Sequence, residues 1–78
     1  MIKRSLSIYG HSTSLALEKE FWAEIDAAVE QSSLSFSAFI RTRDDERMAQ
    51  NLSADGGQNL ASYLRVWVLN ELKARDSL

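Results

Sequence analysis

Between Thr13 and Ile40 the apolar residues change their spacing in mid-stretch, and that change restricts the fold more than any other feature of the chain. In Thr13-Ser14-Leu15-Ala16-Leu17 the larger apolar residues Leu15 and Leu17 alternate with the small Ser14 and Ala16, the period of a half-buried strand. From Glu18 the period lengthens: Phe21, Trp22, Ile25, Ala28 and Val29 recur three and four apart, with Lys19, Glu20, Glu24 and Glu30 between them, as on an amphipathic helix. The pattern breaks at Gln31-Ser32-Ser33-Leu34-Ser35, where Ser35 is placed to cap a second helix carrying Phe36, Phe39 and Ile40. The predicted order is strand, helix over about 19–31, turn, helix over about 36–52.

Upstream, Arg4 to Tyr9 alternates as well, with Leu6 and Ile8 on one face and Ser5 and Ser7 on the other. Leu6 and Ile8 are even-numbered whereas Leu15 and Leu17 are odd, so a flat continuous strand would turn one pair out to water. A bulge at Gly10 to Ser12 would restore one apolar face along a single long strand. A turn through Tyr9-Gly10-His11-Ser12 would instead make a hairpin within the chain, and the residues leave both forms open.

Downstream, Arg41 to Arg47 is mostly charged and reads as a solvated helix face with a frayed end, with Met48 and Leu52 as later apolar contacts. Asp55-Gly56-Gly57 is predicted to be a loop, because each glycine costs a helix about 1 kcal/mol relative to alanine. Asn59 is placed to cap a third helix over about 59–75, with Lys73 and Arg75 at the negative end of its dipole. Leu60, Tyr63, Leu64, Trp67, Val68 and Leu72 form one face of that helix, and Val66 and Leu69 widen it beyond what a single contact requires.

A chain of 78 residues builds one domain, and a solitary core of that size is marginal. Yet 45% of the residues are hydrophobic, including two Trp and three Phe, which points to obligate oligomerisation. Without cysteine there is no disulfide framework, thiolate metal site or thiol nucleophile. No apolar run reaches the roughly 18 residues of a membrane span, and Met1-Ile2-Lys3-Arg4 opens no signal-peptide core, so a soluble, cytoplasmic protein is expected. The net charge of −2 counts against a nucleic-acid binder. Its distribution does not: residues 1–17 hold Lys3 and Arg4 and no acid, while residues 18–34 hold one lysine against five carboxylates.

A lone strand cannot satisfy its own backbone, and no second strand follows downstream, so its partner is an N-terminal segment or the same strand of another chain. This order and these residues, from Thr13 to about Arg47, resemble the ribbon-helix-helix family of small dimeric DNA-binding proteins, which read DNA with strands. Lys3-Arg4-Ser5, Gly10-His11-Ser12-Thr13-Ser14, Phe21-Trp22, Asn59-Leu60 and Leu64-Arg65-Val66 are similar to a bacterial subgroup with a longer ribbon. The resemblance implies a mostly α fold with a short N-terminal β-ribbon, a ribbon-helix-helix dimer with a third, C-terminal helix. It also favours the bulged strand over about 4–17, since the family pairs its ribbons between subunits, and it implies that the isolated chain has no stable fold.

Carried onto this chain, the family's base-reading positions are Ser12, Ser14 and Ala16. Two serines offer permissive hydrogen bonds, and Ala16 can touch only a thymine methyl. Lys3, Arg4 and His11 could add phosphate contacts, and Ser35-Phe36-Ser37 sits where the family clamps a phosphate on exposed backbone N–H groups. The ordinary readings are a polar strand face and a plain N-cap. His11 is the only histidine and has no partners for a metal site or a catalytic triad. Asp44-Asp45 and Glu18/Glu20 lie amid exposed charge, and Gly56-Gly57 lacks the Lys-Ser/Thr pair of a phosphate loop. Neither an enzyme nor a cofactor or metal is expected. Two functions follow: a homodimeric transcriptional regulator or antitoxin-like repressor on double-stranded DNA, or a protein-interaction module using the third helix.

Overall fold

Tyr9 and Gly10 both have positive φ, 52° and 79°, the pattern a type I′ turn requires, and they fold the N-terminal segment back on itself. A computed structural model describes residues 1–50 and 59–76. In it, β1 (Ile2–Ile8) pairs antiparallel with β2 (His11–Leu17), from Ile8 opposite His11 to Ile2 opposite Leu17. The bulged strand over 4–17 is thereby corrected to a hairpin. A two-residue turn pairs every even position of β1 with an odd position of β2, so the change of parity is what places Leu6, Ile8, Leu15 and Leu17 on one face. All four are buried.

Three helices follow: α1 (Lys19–Ser32), α2 (Phe36–Gln50) and α3 (Leu60–Asp76), so the fold is mostly helical behind an N-terminal two-stranded sheet. Ser33 ends α1 in the left-handed conformation, at φ 64°, and the Ser32 hydroxyl bridges the turn by donating to the Val29 carbonyl and accepting from the Leu34 N–H. Ser35 caps α2 by accepting the Ala38 N–H at 3.1 Å, and Asn59 caps α3 by accepting the Ser62 N–H at 2.8 Å. The apolar stripes of the three helices meet the inner face of the hairpin. Trp22 and Ile25 from α1, Phe39 and Ile40 from α2, and Leu64 and Val68 from α3 are buried with the four strand residues in one cluster. Phe21, Ala28, Val29, Phe36, Leu60, Trp67 and Leu72 pack around it half-buried.

The charged stretch of α2 is regular helix as far as Gln50, and the end predicted near residue 52 lies outside the described residues. Its charges form a mesh: Arg43 pairs with Glu46 and Arg47 with Asp44, each at 2.9 Å, and the Tyr63 hydroxyl donates to Glu46. Met48 is exposed instead of packing on the core. Leu52 and the Asp55-Gly56-Gly57 loop lie outside the described residues. The broad face of α3 is only partly used, since Val66 and Leu69 remain exposed.

Candidate nucleic-acid interface

The hairpin register separates its side chains into two sets. Ile2, Arg4, Leu6 and Ile8 share the helix-facing side with His11, Thr13, Leu15 and Leu17. The opposite side carries three cross-strand pairs: Lys3 with Ala16, Ser5 with Ser14, and Ser7 with Ser12. Lys3 and the four serines are exposed and Ala16 is half-buried, with Ser5, Ser12, Thr13 and Ser14 lining a surface depression. This outer face has one cation, no acid and four hydroxyls that both donate and accept hydrogen bonds. Lys3 has no ion pair among the described residues.

The outer pairs also have a backbone character of their own. Beside a two-residue turn the flanking pair, Ile8 and His11, exchanges both main-chain hydrogen bonds, and pairs then alternate along the ladder. The three outer pairs are therefore the non-hydrogen-bonded ones, with side chains close together and with N–H and C=O groups directed out along the two hairpin edges.

Of the residues singled out in sequence, Lys3, Ser12, Ser14 and Ala16 come together on this face. Arg4 does not. Its guanidinium makes a two-pronged pair with Asp26 of α1, at 2.8 and 2.9 Å, and lies 4.4 Å over the Trp22 ring and 5.6 Å from the Phe36 ring. Arg4 thus pins β1 to α1 and to the start of α2, and the bond from Arg4 holds the Asp26 carboxyl below its ordinary range. Arg4, expected as a phosphate contact, makes this pair with its side chain still 35% exposed. His11 also lies off the outer face, around a cleft with Ile8, Tyr9, Asp44, Arg47 and Leu60.

At the start of α2 the Ser35 hydroxyl is already engaged by Ala38, and Phe36 turns inward against Trp22, ring centroids 5.9 Å apart. What this leaves for an anion is backbone N–H groups of the first turn, the O–H of Ser35, whose oxygen alone is used by Ala38, and the exposed Ser37 hydroxyl. The hairpin is held against the helices at both ends. The Tyr9 hydroxyl donates to both carboxylate oxygens of Asp45 at the tip, which raises its own pKa, and Trp22 Nε1–H donates to the Ile2 carbonyl at 2.8 Å at the base. Nearby, Arg65 pairs with Glu18 at 3.0 Å and holds that carboxyl low.

Ser5 and Ser7 belong to the same face and were not singled out in sequence. Their signal was the parity change with Tyr9-Gly10 between the two runs, since a two-residue loop sets Ser5 against Ser14 and Ser7 against Ser12. No helix among the described residues is long and apolar enough to cross a membrane. A family model described as a ribbon-helix-helix domain matches residues 1–72. No curated protein and no solved structure matches the chain.

Proposed function

Since the chain belongs to the ribbon-helix-helix family, whose members are typically DNA-binding regulators or antitoxins, we propose that it is a transcriptional regulator or antitoxin-like repressor that binds double-stranded DNA as a homodimer in the bacterial cytoplasm. The observation that carries this reading is the outer hairpin face, where Lys3 and four exposed serines stand free of acid although the chain as a whole is acidic. A two-stranded ribbon fits the major groove, and hydroxyls meet the donors and acceptors of base edges there. Lys3 and the first-turn N–H groups of α2 would contact phosphates, and Ser12, Ser14 and Ala16 the bases. With Arg4 committed to Asp26, electrostatic attraction rests on few groups, so binding is expected to be weak in salt and dependent on shape and base contacts.

A salt-titrated shift assay on the DNA upstream of the protein's own coding sequence tests this. Lys3→Ala should flatten the dependence of log K on log salt by about 0.9 for each phosphate no longer neutralised. Ser14→Ala should change preference among sequences more than affinity for all of them. The exposed Val66 and Leu69 on α3 favour a second reading, in which the chain binds a protein partner through that helix and not DNA. A folded protein that shifts no duplex even at low salt would decide for the second reading.

A further inference from the structure

We propose that the cleft between α1, α2 and α3 is a binding site for a free α-amino acid with an aliphatic side chain. The cleft encloses about 260 Å³, and no residue of the hairpin lines it. It therefore lies apart from the outer ribbon face, and its occupancy does not depend on the DNA-binding function proposed above. Its floor is apolar. Phe39 and Val68 close it toward the core, both buried, and half-buried Ala28 and Trp67 flank them.

The charges around the cleft decide what kind of molecule fits. Glu24, Arg43, Glu71 and Arg75 supply two carboxylates and two guanidiniums, so the lining is balanced. A phosphate or nucleotide would set its anions against the carboxylates, and a diamine its cations against the guanidiniums. Two of the four charges are short of partners among the described residues. The Arg43 guanidinium lies 5.0 Å from the Phe39 ring and 5.2 Å from the Trp67 ring and gives Nη2 to Glu46, but its Nε–H is buried without an acceptor. Glu71 is exposed and has no ion pair. The other two, Arg75 and Glu24, stand 3.6 Å apart, wider than the ion pairs described above. A zwitterion meets both shortages. Its carboxylate pairs with the Arg43 guanidinium, whose side chain keeps 16% of its surface open, and its ammonium with Glu71.

Space sets the side chain. At about 30 Å³ for each water of the liquid, the cleft holds the equivalent of about nine waters. An α-amino acid with a four-carbon side chain has about nine non-hydrogen atoms, and its aliphatic end would lie on Phe39, Val68 and Ala28. Gln31 and Ser32, both exposed on α1, add an amide and a hydroxyl that donate and accept hydrogen bonds around the polar end.

The test uses the full chain, without DNA, and L-leucine as the probe. Calorimetric titration should find one site per chain, and L-leucine at about ten times its dissociation constant should raise the melting midpoint by about 5–10 °C. Leucinamide, which lacks the carboxylate, should bind at least about tenfold more weakly. Isocaproate, which lacks the ammonium, should bind about two- to fivefold more weakly, since Glu71 is exposed. Glu71→Gln should weaken L-leucine by the same factor and leave isocaproate unchanged. Ala28→Leu, which fills the cleft, should abolish binding while circular dichroism stays that of the wild type. The proposal is overturned if no aliphatic amino acid moves the midpoint at millimolar concentration, or if L-leucine and its two analogues bind alike. Wild-type affinity in both Glu71→Gln and Ala28→Leu would overturn it too. So would a loss of self-association in Ala28→Leu by sedimentation, because a second copy would then be what covers the cleft.

Discussion

Trp22 is the residue on which most of the structure converges. It is 2% exposed, its ring contacts Phe36 and lies under Arg4, and its indole N–H closes the open end of the hairpin through the Ile2 carbonyl. Trp22→Ala should cost about 3–5 kcal/mol, a large part of the about 5–15 kcal/mol that holds a small domain together, and urea denaturation would measure it. Trp22→Phe keeps most of the volume and loses the hydrogen bond, so about 1 kcal/mol is expected. The Asp26 side chain, half exposed, contributes less: its pair with Arg4 is worth about 0–1 kcal/mol. Asp26 has a folded pKa below the unfolded one, so its contribution is complete above the ordinary carboxylate range and fades as pH falls through the depressed value. Wild type should exceed Asp26→Asn in stability at pH 7, and the gap should close in acid; a gap that widened on acidification would contradict the pairing. Nothing local in the sequence marks Arg4 as structural, because Asp26 lies 22 residues away and a charge count along the chain is blind to what the fold brings alongside.

The hairpin is the element in which backbone conformation decides the most. A Cβ added at Gly10 would meet nothing within 4 Å, so the cost of Gly10→Ala is that of holding an L-residue at positive φ, about 1–2 kcal/mol. Gly10→Val should cost more, because β-branching narrows the allowed conformations further. Thermal melts of the two variants, with circular dichroism to follow the strands, would rank them. If both matched wild type, the turn would not be the one described. The helices are legible because α1 and α3 carry sustained apolar stripes, α2 opens on Phe36, Phe39 and Ile40, and Ser35 and Asn59 cap α2 and α3. The hairpin is legible in its residues, which leave its form open. The alternation of Leu6, Ile8, Leu15 and Leu17 marked two strand runs, and their opposite parity admitted either a bulge or a two-residue turn. The resemblance to a family that pairs its ribbons between subunits favours the bulge, whereas the structure holds Tyr9 in a type I′ turn position that Asn, Asp or Gly usually fills. Its φ of 52° is supported by contacts that no local pattern contains, the hydroxyl on Asp45 and Arg41 5.6 Å from the ring.

At the scale of the whole molecule, the hairpin changes what a second chain is needed for. A lone strand would have required a partner to complete its hydrogen bonds and to cover Phe21, Ile25, Phe36 and Ile40. Here β1 pairs with β2, Ile25 and Ile40 are fully buried, and Phe21 and Phe36 pack against the same core within one chain. With the core closed in this way, dimerisation is expected to be association between folded chains. The melting midpoint should stay constant over a hundredfold range of protein concentration, even where sedimentation shows the dimer fraction rising. An obligate dimer behaves otherwise. Mass action over that range is worth about 2.7 kcal/mol and would move the midpoint of a dimer of this size by about 5–10 °C. Leu69→Lys adds a second readout, because Leu69 is 49% exposed on α3: it should leave the midpoint unchanged and weaken association if α3 joins the two copies. A concentration-dependent midpoint would restore the strand exchanged between subunits, and with it a ribbon that no single chain can present to DNA.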